Sequence, residues 1–248
     1  MFKRLLRWGA WCLLIATLAV WAFSYGLGIW TINWDNPAPF LEGDVDTIDY
    51  VDGKLVANFK QHRIEYISVD KMPDHLVKAF VAVEDRRFYQ HWGVDFRGVA
   101  RALRANLHSG EIAEGGSTIT QQLARNLFLN LEQTMERKIA EMSIALQLER
   151  KYDKDEILEM YINQVNFGAG NWGVARAAEA YFNKDVSELS IGEGALLAGL
   201  VQAPNAYAPV KSWDKAIARQ RIVLGRMAEL GYITPEQATA EVYQVDSP

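Results

Sequence analysis

Three segments between residues 84 and 141 carry functional groups at a density that core packing does not require. They are EDRRFYQHWGVD from 84, GGSTITQQLARN from 115 and ERKIAE from 136. In the first, Glu84 ends an apolar stripe of Leu76, Val77, Phe80 and Val81, spaced as on one face of a helix that Pro73 is placed to open. Asp85, Phe88, His91 and Gly93 follow it as a polar and aromatic corner. A carboxylate at the edge of an apolar cleft is raised toward the range of a general base; the plainer reading is a solvated acid at a helix end.

The second segment opens with Gly115 and Gly116, which permit close backbone approach, and continues with Ser117, Thr118, Thr120, Gln121, Gln122 and Arg125. Hydroxyls and amides leading into a helix present N–H groups suited to phosphate oxygens. The lysine and spacing of a Walker loop are missing. In the third segment Arg137 and Glu141 stand four apart beside Lys138. A surface ion pair worth under about 1 kcal/mol is the default; a second carboxylate beside a phosphate clamp is the alternative. Between these segments, FRGVARALRANLHSG sets Phe96, Val99, Leu103 and Leu107 against Arg97, Arg101 and Arg104, a basic amphipathic helix fit for anionic headgroups or for an ordinary surface.

These groups need a scaffold and a location. The chain has 248 residues, half of them apolar, enough to bury a core. Its net charge of −5 argues against a nucleic-acid partner. The one cysteine, Cys12, excludes an internal disulfide and sits too near the start for a lipoprotein signal.

No charge interrupts residues 8–30, a helix of roughly 34 Å that would cross a bilayer. Lys3, Arg4 and Arg7 precede it and a run of acids follows, so the short tail of residues 1–7 is expected in the cytoplasm and the rest outside. An uncleaved anchor is preferred to a signal peptide because the apolar run is long and lacks a small-residue exit. Residues 31–69 read as a linker, NPAP, and a small β region with a hairpin turn at Asp52-Gly53. The Asp44-Val45-Asp46 triplet has the look of a metal motif but carries little weight. Residues 70–243 read as one mainly helical domain, followed by a tail at 244–248. Capping boxes are expected at Asp153/Glu156, Ser190/Glu193 and Thr234/Gln237.

EDRRFYQHWG, GGSTITQQLARN, RKIAE and ILEMYINQVNFG, in this order, resemble the signature segments of glycosyltransferase family 51, the peptidoglycan glycosyltransferases. The likeness runs from about residue 45 to 243 and includes GVARAAEAYFNK and LGYITPEQA. It implies a mainly α, lysozyme-like fold of two lobes, one dipping into the outer face of the bacterial cytoplasmic membrane. The activity implied is polymerisation of lipid II by inverting transfer from an undecaprenyl-pyrophosphate donor. Glu84 would be the general base and Glu141 a second essential acid. Asp85, Phe88, His91, Arg101, Ser117, Thr120, Gln121, Gln122, Arg125, Arg137, Lys138 and Asn163 are the substrate-binding candidates.

No cofactor is demanded by the residues, and a divalent ion, Mg or Mn, is admitted without being dictated. The expected partners are lipid II, lipid-linked glycan, the membrane and other cell-wall synthesis proteins. Arg125 replaces the usual lysine and Gln133 a frequent basic residue, which alters one pyrophosphate contact. Ser68-Val69-Asp70-Lys71 matches a transpeptidase Ser-x-x-Lys by chance. Both a monofunctional enzyme and the first part of a bifunctional penicillin-binding protein fit. A lytic or hydrolytic lysozyme-like enzyme and a catalytically weak cell-wall scaffold are the alternative readings.

Overall fold

The computed structural model describes residues 49–51, 54–59, 62–109, 115–129 and 135–243. The expected anchor at 8–30, the NPAP linker, the Asp44-Val45-Asp46 triplet and Gln133 lie outside them. Among the described residues no helix is long and apolar enough to cross a membrane.

Strands β1 (Asp49–Val51), β2 (Lys54–Phe59) and β3 (His62–Glu65) form an antiparallel sheet in that order. Val51 pairs with Lys54, so β1 and β2 make the expected hairpin, although the turn residues themselves lie outside the described set. From there the chain is helical: α1 (Asp74–Glu84), α2 (Phe96–Ser109), α3 (Ile119–Phe128), α4 (Met135–Lys151), α5 (Lys154–Gln164) and α6 (Val174–Phe182). Then follow α7 (Ile191–Leu200), the single turn α8 (Pro204–Tyr207), α9 (Trp213–Glu229) and α10 (Pro235–Ala240).

Sequence chemistry sets these boundaries. The capping boxes at Asp153/Glu156, Ser190/Glu193 and Thr234/Gln237 all form, each satisfying two backbone donors that a helix start leaves open. Helix α1 starts one residue later than expected, at Asp74. Pro73 stands outside as its cap, because the Pro73 carbonyl already accepts from the Leu76 and Val77 N–H groups.

Helix α7 is buried from Gly192 to Leu200 and packs against both α1 and α9. Burying its Leu side chains contributes about 1.5–3 kcal/mol each. Close approach depends on glycine: a Cβ on Gly192 would fall 2.0 Å from the Glu241 carbonyl oxygen. On the other side, α3 packs on α4 and α5. Phe80 joins the two sets, its ring edge-on to Tyr161 of α5 at 6.3 Å and to Phe167 at 6.1 Å. Glu84 lies four residues beyond Phe80, so this aromatic contact fixes the end of α1.

Helix α2 exposes part of its apolar side. Phe96 and Val99 are 72% and 44% exposed, together with Trp92 at 72% and Tyr89 at 54%. These side chains give the segment an apolar surface, as a helix fit for headgroups would have, while Arg101 is partly buried.

Candidate active site

The polar corner after α1 builds the site by anchoring α3. Thr118 caps α3: its Oγ1 accepts from the Gln121 N–H at 3.1 Å, and the Gln121 side chain accepts from the Thr118 N–H at 3.0 Å. The Thr118 hydroxyl donates to the Gly93 carbonyl at 2.6 Å. Asp85 accepts from the Ile119 N–H at 3.1 Å and pairs with His91 at 2.9 Å. The α3 N-terminus was expected to offer N–H groups to phosphate; those of Ile119 and Gln121 are taken by Asp85 and Thr118.

This docking aims Gln122 at Glu84. Gln122 donates from Nε2 to Oε2 of Glu84 at 2.7 Å and accepts at Oε1 from the Tyr161 hydroxyl at 3.0 Å. Burial holds the Tyr161 hydroxyl well above its ordinary pKa, so it acts as a fixed donor. With Oε1 occupied, the amide has only Nε2 to present to the carboxylate. Burial also pushes the Glu84 carboxyl above its ordinary 4.5, against the Gln122 hydrogen bond and the pull of Arg219, Arg226 and Arg125.

Glu141 is the opposite kind of carboxylate. Its side chain is fully buried, yet Lys138 Nζ lies at 2.7 Å, Arg137 Nε at 3.1 Å and Arg125 Nη1 at 3.9 Å. The expected surface pair is therefore a buried acid holding three partly buried cations. Lys138 also donates to the Ser117 hydroxyl at 2.9 Å, joining this cluster to the glycine-rich segment.

A cleft of about 560 Å³ opens beside Glu84. Glu84, Arg101, Ser117, Gln122 and Arg125, all singled out from the sequence, line it. So do Arg86, Gln202, Arg219, Arg226 and Glu229, which sequence reasoning missed. Five arginines against two glutamates leave a formal excess of three positive charges. The missed pair carried one readable signal: Arg219 and Arg226 are seven apart, on one face of α9.

Other candidates are committed elsewhere. Phe88 is fully buried, edge-on to Tyr89 and His91. Asp85, His91 and Gln121 serve the α3 junction, and buried Thr120 donates to Glu149 at 2.6 Å. Asn163 is fully buried: it accepts from the Ile67 N–H at 2.9 Å and donates to the Ile67 and Glu159 carbonyls at 2.7 and 2.9 Å. None of these lines the cleft, because their polar groups satisfy neighbouring backbone and side chains. Among the described residues no group of three or more His, Cys, Asp or Glu is gathered to hold a metal ion.

Comparison with known proteins places this architecture. The family model described as transglycosylase matches residues 52–228. Penicillin-binding protein 1A of Aquifex aeolicus is 50% identical over 185 residues, 75% of this chain and 26% of that protein. Penicillin-binding protein 1A of Escherichia coli is 47% identical over 186 residues, covering 75% and 22%. Penicillin-binding protein 1F of Bacillus subtilis is 45% identical over 186 residues, covering 75% and 26%. This chain thus spans about a quarter of the length of these relatives. With the family model covering most of its length, and the cleft lining within the matched segment except for Glu229 and Leu230, the chain belongs to the transglycosylase family.

Proposed function

We propose that this protein is a peptidoglycan glycosyltransferase that polymerises lipid II at the outer face of the cytoplasmic membrane. One observation carries the reading: a single oriented carboxylate of raised pKa, Glu84, stands in a cleft otherwise dominated by arginine. Glycosyl transfer from a pyrophosphate donor needs a base on the attacking hydroxyl and cations on the leaving group.

In this reading the 4-hydroxyl oxygen of the acceptor N-acetylglucosamine attacks the anomeric carbon of the donor. Its proton passes to Glu84 as the new carbon–oxygen bond forms. The bond to the phosphate oxygen breaks, and the pyrophosphate departs with the electron pair. Inversion turns an α-linked donor into a β-1,4 bond. Gln122 and Tyr161 orient the base, while Arg125 and Lys138, held by Glu141, meet the leaving charge. Glu141 is an organiser of cations here, since its carboxylate is closed off from solvent.

The exposed side chains of Trp92 and Phe96 support a seat on the bilayer, where a long polyprenyl tail remains buried at about 0.8 kcal/mol per CH₂. A lytic enzyme would instead cut finished glycan. Purified protein given lipid II is expected to yield long glycan on a gel and to leave finished glycan intact. Cleavage of finished glycan with no polymer from lipid II would refute the proposal.

A further inference from the structure

We propose that Arg219 is a phosphate-binding residue on the α9 wall of the cleft, serving a subsite separate from the Arg125–Arg137–Lys138 cluster. The inference rests on the lipid II reading, in which two pyrophosphate-bearing substrates meet in one cleft.

The two arginines of α9 differ in commitment. Arg226 donates from Nη1 to the Val83 carbonyl at 2.9 Å, tying α9 to the last turn of α1. Arg219 has no such partner: its Nε is buried without a hydrogen bond among the described residues. Its guanidinium lies over the Tyr207 ring, 5.5 Å from the centroid, and its backbone is pressed against α7, where a Cβ on Gly199 would sit 3.2 Å from the Arg219 Cβ. Backbone and ring together hold a forked donor at the cleft.

A buried donor with no acceptor is costly and rare, so it calls for a partner that arrives with the ligand. Burial lowers the Arg219 pKa from its ordinary value, the mark of a partly desolvated cation. Arg219 and Glu84 line the same cleft. The anion it receives therefore sits close to the reacting groups. Arg125, which also lines the cleft, already shares the Glu141 carboxylate with Arg137 and Lys138. A planar fork on an aromatic face suits two phosphate oxygens.

The test is steady-state polymerisation of lipid II by the full chain in detergent micelles, with thermal unfolding of each variant as a fold control. Arg219→Gln is expected to raise KM about tenfold, and Arg219→Lys by a smaller factor because charge without the fork survives. The Arg219→Gln effect should multiply with that of Arg125→Gln, as separate subsites require. It should also persist with a lipid-linked disaccharide pyrophosphate lacking its stem peptide. An unchanged KM in both Arg219 variants, a double variant no worse than either single, or an effect confined to peptide-bearing substrate would each overturn the assignment. If Arg219→Gln does not fold, Arg219→Lys decides alone. Absence of polymer from lipid II with the parent protein would instead overturn the polymerase reading and leave Arg219 without its premise.

Discussion

The side-chain amide of Gln122 donates to Glu84 at 2.7 Å while its own oxygen is held by the Tyr161 hydroxyl at 3.0 Å. Gln122→Ala removes one hydrogen bond to a charged group and frees the carboxylate to rotate. A loss of about tenfold or more in kcat for lipid II polymerisation is expected, with a smaller change in KM. Tyr161→Phe should show a weaker version of the same split. Equal kcat in all three proteins would show that the relay does not orient the base.

Glu84 also makes a prediction about stability. Its carboxyl is raised above 4.5 chiefly by burial, so the folded protein binds that proton more tightly than the unfolded chain. The group's stabilising contribution is full below about pH 4.5 and is lost as pH rises through the native value. Glu84→Gln lacks this term. Its Tm relative to the parent should therefore increase with pH from about 4.5 and level off above the native pKa. Differential scanning calorimetry from pH 4 to pH 8 checks it; a difference that shrinks with rising pH would contradict the assigned environment.

Glu141→Gln should act in the opposite direction. The buried carboxylate is the shared counter-ion of Arg137, Lys138 and Arg125, and its loss leaves three cations facing one another. A fall of about 1–3 kcal/mol in stability is expected, below the cost for fully buried pairs because the cations keep some solvent. Urea unfolding at neutral pH measures it. An unchanged midpoint would remove the organising role given to Glu141.

Asn163 separates architecture from substrate contact. Asn163→Ala strips three hydrogen bonds and leaves both polar backbone groups of Ile67 without their partner. Stability should drop by about 2–4 kcal/mol, with KM of the folded fraction unchanged. A raised KM at unchanged Tm would return Asn163 to the substrate site.

Much of this arrangement was legible in local chemistry. Three capping boxes were readable because N-cap and N3 residues act within one turn, and Glu84 was readable as the polar end of an apolar stripe. What composition does not separate is a polar group that binds substrate from one that satisfies a buried backbone. Asp85, His91 and Asn163 have the residue types of a site and serve the fold. Glu141 showed the spacing of a surface pair, and only the packing of α3 on α4 reveals its burial. Arg219 reaches the cleft through α9 and α7, contacts that no local pattern encodes.

Whether Glu84 takes the acceptor proton is read from the initial rate of lipid II polymerisation by Glu84→Gln. A fall of about 100-fold or more is expected at pH 7.5, in a protein whose Tm is no lower than the parent's. A folded Glu84→Gln protein that polymerises lipid II at the parental rate would contradict it.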